Sequence, residues 1–314
     1  MTEKPMKRPQ SRNAEIADVD ILKDGKESDI VIPIMGPTGS GKTTFVNTAL
    51  QEDRLEVGHS VNSATSKVRP IVIDPIPGFP ALSGHRLVLV DTPGFDDTFV
   101  DDVQILKKIA KWLAKSYRKG MVIGGVLYLH DISIKRFTGT ARKNLDMFHH
   151  LCGDAALNKV VLSTTSWYTE SCTVEVHERR ERELKTVHWK HLIDQGAEVY
   201  RFLRDRNSAW EIINVFLKNV EGKRPALLIQ TEMVDRRLRI PETEAGQALL
   251  LTLQQALETH KKITMLEATI AEDGDPSAKA KLDEAQANIV KLKAQIQAIK
   301  LSLPQRVLKW IGFY

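Results

Sequence analysis

Apolar positions along this chain follow two rhythms. Short runs with few polar interruptions come first: Asp29-Ile30-Val31-Ile32-Pro33-Ile34-Met35 predicts a strand buried on both faces. Similar runs at Arg69–Ile76, Arg86–Val90, Gly124–Leu129, Val160–Ser163 and Glu198–Phe202 predict further strands. Between them, residues 101–117, 139–152, 174–192 and 208–219 read as helices. The Pro/Gly cluster Pro75-Ile76-Pro77-Gly78-Phe79-Pro80 joins two of the strands by a short link, which favours an antiparallel pair. Strands alternating with helices otherwise imply a mostly parallel sheet with helices on both faces and ligands at the strands' C-terminal ends.

Beyond residue 243 the rhythm changes. Leu282, Ala285, Ile289, Leu292, Ile296, Ile299 and Leu303 recur at alternating steps of three and four, a heptad seam. Leu250, Leu253, Leu257, Ile263, Leu266 and Ile270 form a less regular stripe, and Glu272-Asp273-Gly274-Asp275-Pro276-Ser277 between the two is a turn signal. A helical hairpin, or coiled coil, is expected. Leaving its apolar faces in water forgoes ~1.5–3 kcal/mol for each Leu or Ile, so they pack on the body of the chain or on a partner. The chain therefore divides into an arm at 1–28, an α/β domain at 29–220, a connecting segment at 221–243, a hairpin at 244–303 and an amphipathic tail at 304–314.

Composition changes this picture little. The 314 residues are 42% hydrophobic and 27% charged, enough to bury a sizeable core. A net charge of +5, spread over 85 charged residues, fits solvated helix faces, so no nucleic-acid partner is expected. Cys152 and Cys172 make no disulfide framework and suit a reducing compartment. No run of 18 apolar residues marks a membrane span, and the polar N-terminus reads as no signal peptide; a cytoplasmic location is expected. The tail mixes Arg306 and Lys309 with Trp310, Phe313 and Tyr314, which fits a membrane surface or docking on the body.

The chemistry begins at Gly36-Pro37-Thr38-Gly39-Ser40-Gly41-Lys42-Thr43, which fits G-x-x-x-x-G-K-[ST] between a strand and a helix. Backbone amides of such a loop close around phosphate oxygens at a helix N-terminus. Lys42 then reaches the terminal phosphates, Thr43 ligates Mg²⁺, and Thr44 continues the binding turn. The fold implied is a P-loop NTPase with an appended C-terminal helical hairpin. Asp91-Thr92-Pro93-Gly94 follows a strand some 50 residues later: Asp91 is placed to hold Mg²⁺, and Gly94 to offer its amide to the γ-phosphate. In the polar segment between them, Thr65 is the expected switch residue for Mg²⁺ and catalysis, with Ser63 and Ser66 as competitors.

These residues, with Thr44-Phe45-Val46-Asn47, Phe95-Asp96-Asp97, Tyr128-Leu129-His130-Asp131-Ile132-Ser133, Arg136-Phe137-Thr138-Gly139-Thr140 and Val161-Leu162-Ser163-Thr164-Thr165-Ser166-Trp167, resemble the septin-like GTPases. That group spans septins, the plant immunity-associated (GIMAP/AIG) type and plastid import-receptor GTPases; the chain looks most similar to fungal G-domain proteins of this type. The resemblance covers about residues 29–219. It implies a Mg²⁺-dependent GTP/GDP switch that pairs through its nucleotide face, often at membranes or filaments; homodimerisation through that face or the hairpin is expected.

Two departures stand out. Where such GTPases carry [NT]-K-x-D, this chain has Thr165-Ser166-Trp167-Tyr168, and a phenol cannot repeat a carboxylate's two-fold acceptance from guanine. Thr165 and Trp167 remain the expected base-side contacts, with Trp167 either stacked on the base or packed in the core; ATP use stays open. Phe95 stands where a Ras-like protein orients water with glutamine, so hydrolysis by a monomer is expected to be slow. A scaffold that binds nucleotide and scarcely hydrolyses it is the alternative.

Overall fold

The computed structural model describes residues 21–57, 67–95, 102–168, 173–218, 226–272 and 276–300. A single helical turn, α1 (Ile21–Asp24), precedes strand β1 (Asp29–Met35) and helix α2 (Lys42–Leu50). Strands β2 (Arg69–Ile73) and β3 (Arg86–Asp91) follow, then α3 (Asp102–Arg118), the two-residue β4 (Val122–Ile123), β5 (Val126–Asp131) and α4 (Gly139–Cys152). Next come β6 (Val160–Thr165), α5 (Val174–Glu183), α6 (Lys190–Asp194), β7 (Glu198–Arg201) and α7 (Arg206–Lys218). Three helices close the described chain: α8 (Leu228–Val234), α9 (Glu244–Glu272) and α10 (Pro276–Lys300).

The sheet runs β2-β3-β1-β5-β6-β7, with β4 also paired to β1. Only β2–β3 is antiparallel, in the register Arg69↔Asp91 to Ile73↔Leu87. The short Pro/Gly link permits no crossover helix, which is why this pair alone reverses. Each central strand is buried on both faces and shares its side chains between two cores. Ile30, Ile32, Ile34, Leu87, Leu89, Leu127 and Leu129 pack under α2 and α7. Val31, Met35, Val88, Val90, Val126 and Tyr128 pack under α3 and α4. This two-residue alternation gives continuous apolar runs because neither face meets water. At the foot of the sheet, Arg86 donates Nε and Nη2 to the fully buried Asp29 carboxylate, both at 2.7 Å.

Three expectations are corrected. The connecting segment 221–243 holds a packed helix, α8, whose Gln230 is fully buried and donates Nε2 to the Leu113 carbonyl of α3 at 3.0 Å. Pro241 lies in the 3₁₀ turn Ile240–Glu242 that follows. The helix expected over 174–192 is broken by a π-helical turn at Leu184–His188. In the hairpin, Ala285, Leu292 and Ile299 are buried along the expected seam, and α9 seats Ala245, Leu249 and Leu253 against the domain. Farther along α9 the stripe fails: Ile263, Leu266 and Ile270 are exposed. Glu267 instead faces Lys281 of α10 at 4.0 Å. No described helix is long and apolar enough to cross a membrane.

Candidate nucleotide-binding site

β1 delivers the chain to the sheet's C-terminal edge, where residues 36–41 turn into α2. Gly36 has φ 137°, and a Cβ there would lie 2.3 Å from the Leu129 carbonyl oxygen, so only glycine fits. The turn closes through Ser40 N–H to Pro37 O at 3.2 Å, and Phe45 N–H reaches Gly41 O at 2.8 Å as the helix begins. Lys42, 6% exposed, folds its Nζ back across the loop to the carbonyls of Gly36 (2.9 Å) and Pro37 (2.7 Å). Thr165 at the end of β6 donates its hydroxyl to Ser40 O at 3.1 Å, with His130 O at 3.4 Å. Its role here is to hold the loop. Ser40 Oγ is buried with no hydrogen-bond partner.

One residue on, Thr43 Oγ1 donates to Asp91 Oδ2 at 2.9 Å, joining α2 to the end of β3. Asp91 is fully buried, and its Oδ1 has no hydrogen-bond partner. Arg69, opposite Asp91 in the antiparallel register, places Nη2 2.9 Å from Asp91 Oδ2 and 3.3 Å from Thr43 Oγ1. A hydroxyl and a carboxylate are the hard oxygen donors Mg²⁺ takes. An unsatisfied carboxylate oxygen and a guanidinium standing in as the local cation add to the fit. These residues suit a magnesium ion.

The turn after β3 is tied down as well. Thr92 donates Oγ1 to Ile34 O at 2.7 Å, and a Cβ on Gly94 would meet Thr38 N at 2.5 Å. Close approach of the two loops therefore requires glycine at 94. Thr38 Oγ1 lies 3.5 Å from the Gly94 carbonyl. Pro37, Gly39 and Gly41 complete the loop; Thr65 lies outside the described residues. Thr44 lines an open cleft of about 620 Å³ shared with Asn47, Thr48 and Arg204–Arg206.

Of the two places expected for Trp167, the structure gives the core. It is 3% exposed, donates Nε1 to Thr164 Oγ1 at 3.0 Å and carries the Arg201 guanidinium 4.1 Å above its ring. A ring covered in this way cannot stack on a base; Trp167 is a core aromatic. Its neighbour Tyr168 is 74% exposed.

Arg69 is the side chain of the candidate site missed by reading the sequence, where it figured only as the first residue of a strand. Its signal was the antiparallel pairing itself, which sets residue 69 opposite Asp91.

Residues 31–159 match the family model of the 50S ribosome-binding GTPases. A GTPase Era of Campylobacter jejuni subsp. doylei is 30% identical over 132 residues, 42% of this chain and 40% of that protein, so the chain spans less than half of its length. Among solved structures, Toc33 from Arabidopsis thaliana with GDP and Mg²⁺ aligns at 18% identity and a TM-score of 0.48, covering 64% of this chain and 87% of that one. An Era variant of Aquifex aeolicus bound to GDP·AlF4⁻ aligns at 16% identity and a TM-score of 0.43, covering 62% and 58%. With the phosphate loop, the Thr43–Asp91 pair and the sheet order in place, residues 31–159 carry the P-loop GTPase fold.

Proposed function

We propose that this protein is a Mg²⁺-dependent GTP switch of the septin-like type, working in the cytoplasm, with slow hydrolysis that a second copy or a partner accelerates. The observation that carries it is the bond from half-buried Thr43 to fully buried Asp91 beside the Lys42 ammonium, which gathers metal donors and a phosphate-binding cation at one site. When bound, the ion would neutralise charge on the β- and γ-phosphates. Lys42 would exchange its two carbonyl partners for phosphate oxygens, and the loop amides would hold those oxygens in place. Gly94, pressed against Thr38, would report loss of the γ-phosphate to the segment leading into α3.

Slow turnover is supported by Phe95, whose ring packs against the core under α3 and can orient no water. A group donated by a partner would supply what is missing; an arginine in trans is worth ~10³–10⁵ in rate. The nucleotide face and the outer half of the hairpin, where Met265 and Leu266 are exposed, are the surfaces proposed for a homodimer. The basic, aromatic tail is proposed to meet a membrane surface.

A second reading, weak discrimination between GTP and ATP, is favoured by one observation: exposed Tyr168 stands where a carboxylate would read guanine. Equilibrium binding of fluorescent GDP, GTP and ATP analogues with Mg²⁺, followed by single-turnover rates against protein concentration, tests both. Tight GTP binding with a rate rising with concentration is expected. Equal GTP and ATP affinity supports the second reading, and binding without turnover at any concentration leaves only the scaffold. Lys42→Ala should weaken binding roughly 10–100-fold, the worth of one or two charge-assisted hydrogen bonds.

A further inference from the structure

We propose that Arg69 is a displaceable latch on the metal site: its guanidinium pairs with Asp91 Oδ2 when no Mg²⁺ is bound and must leave when the ion enters. The latch presupposes the magnesium–nucleotide site proposed above. Its geometry is specific. Thr43 has one hydroxyl proton, which goes to Asp91 Oδ2, and Arg69 Nη2 approaches both that hydroxyl oxygen and the same carboxylate oxygen. A divalent ion on Thr43 Oγ1 would sit within a few ångströms of the guanidinium, and two cations so close in a site walled by a fully buried carboxylate repel strongly. Either the guanidinium holds Asp91 or the ion does.

The side chain has somewhere to go. Asp91 is fully buried, whereas the Arg69 side chain keeps 24% of its surface in solvent, so it can swing outward without losing hydration of its charge. Arg69 is also the first residue of β2, four positions after Thr65. Metal entry would therefore release the ion pair that anchors the chain just after the expected switch segment. Arg69 is a positioning residue that tunes metal affinity; it takes no part in bond making.

The test compares wild type, Arg69→Ala and Arg69→Lys in two measurements. The first is the Mg²⁺ concentration at half-maximal binding of fluorescent GDP. Removing the competing cation should lower that midpoint about tenfold or more, since a hydrogen bond to a charged group must otherwise be broken first. Arg69→Lys should fall between. A midpoint unchanged in Arg69→Ala overturns the latch. So does a raised midpoint, which would make Arg69 an aid to metal binding. The second measurement is the thermal unfolding midpoint in EDTA without nucleotide. Arg69→Ala should melt lower, because Asp91 is left buried without a counter-charge, and millimolar Mg²⁺ should restore stability in the variant more than in wild type. If wild type binds no magnesium nucleotide, the functional reading fails and the EDTA comparison alone decides: equal midpoints overturn the latch too.

Discussion

The Thr165 hydroxyl lies 3.1 Å from the Ser40 carbonyl, 125 residues away in sequence, and ties the end of β6 to the phosphate loop. The loop is thus held from the base side of the site as well as by its own turn. Thr165→Val keeps the side chain's outline and deletes the donor. It should cost roughly 1–3 kcal/mol for the buried acceptor left unsatisfied, read by urea unfolding. Fluorescent-GDP affinity should fall with it, and a variant with wild-type stability and affinity would show the tie to be idle.

Asp29 and Arg86 pin the foot of the sheet through two bonds of 2.7 Å. Arg86→Met removes one partner of a buried pair and strands the fully buried carboxylate. A loss of about 3–5 kcal/mol is expected. The double variant Asp29→Asn/Arg86→Met should recover a large part of it, which a double-mutant cycle in urea measures.

His130 sits at the end of β5 with 3% of its surface exposed and Nδ1 unpartnered. Burial is the main cause that pushes its pKa down from 6.5 to about 4; nearby Asp131 opposes the shift and His188 adds to it. Below pH 6.5 the unfolded chain therefore takes a proton that the folded chain refuses until about pH 4. His130 should thus withdraw up to roughly 3 kcal/mol of stability as pH falls through that window. Replacing it with Gln should flatten this part of the stability–pH curve relative to wild type, as followed by urea unfolding.

Tyr168 and Trp167 are neighbours with opposite surroundings. Tyr168→Asp restores a carboxylate where guanine would be read and should raise the GTP/ATP affinity ratio by roughly 10-fold or more, as for hydrogen bonds to a charged group. Trp167→Ala should leave that ratio unchanged and instead cost about 3–5 kcal/mol through the cavity it opens. Competition binding and urea unfolding separate the two effects.

Much of this architecture is legible in the residues because the relevant physics is local. The strand over 29–35 announced itself by unbroken burial, the reversed β2–β3 pair by its Pro/Gly link, and the phosphate loop by glycines where no Cβ fits. What escaped depends on partners distant in sequence. Helix α8 lay between two prolines and was hidden until Gln230 met the Leu113 carbonyl. Ile263 and Leu266 kept a helical apolar spacing but turned outward, because the Glu267–Lys281 pair faces across the hairpin instead. Trp167 was ambiguous until Arg201, from β7, covered its ring. Arg69 could not be assigned from its own neighbourhood at all, since its meaning comes from the residue across the ladder.

Helix α3, the first described element after Gly94, also supports the C-terminal helices: its Leu113 carbonyl holds α8, and its Lys107 holds the Ala298 carbonyl of α10 at 3.1 Å. With 29 residues, α9 extends about 44 Å. A tilt of about 5° at the base would sweep its far end by ~4 Å, given that length. An angular change at the base too small to disturb the core would thus become a displacement as large as a side chain at the remote end.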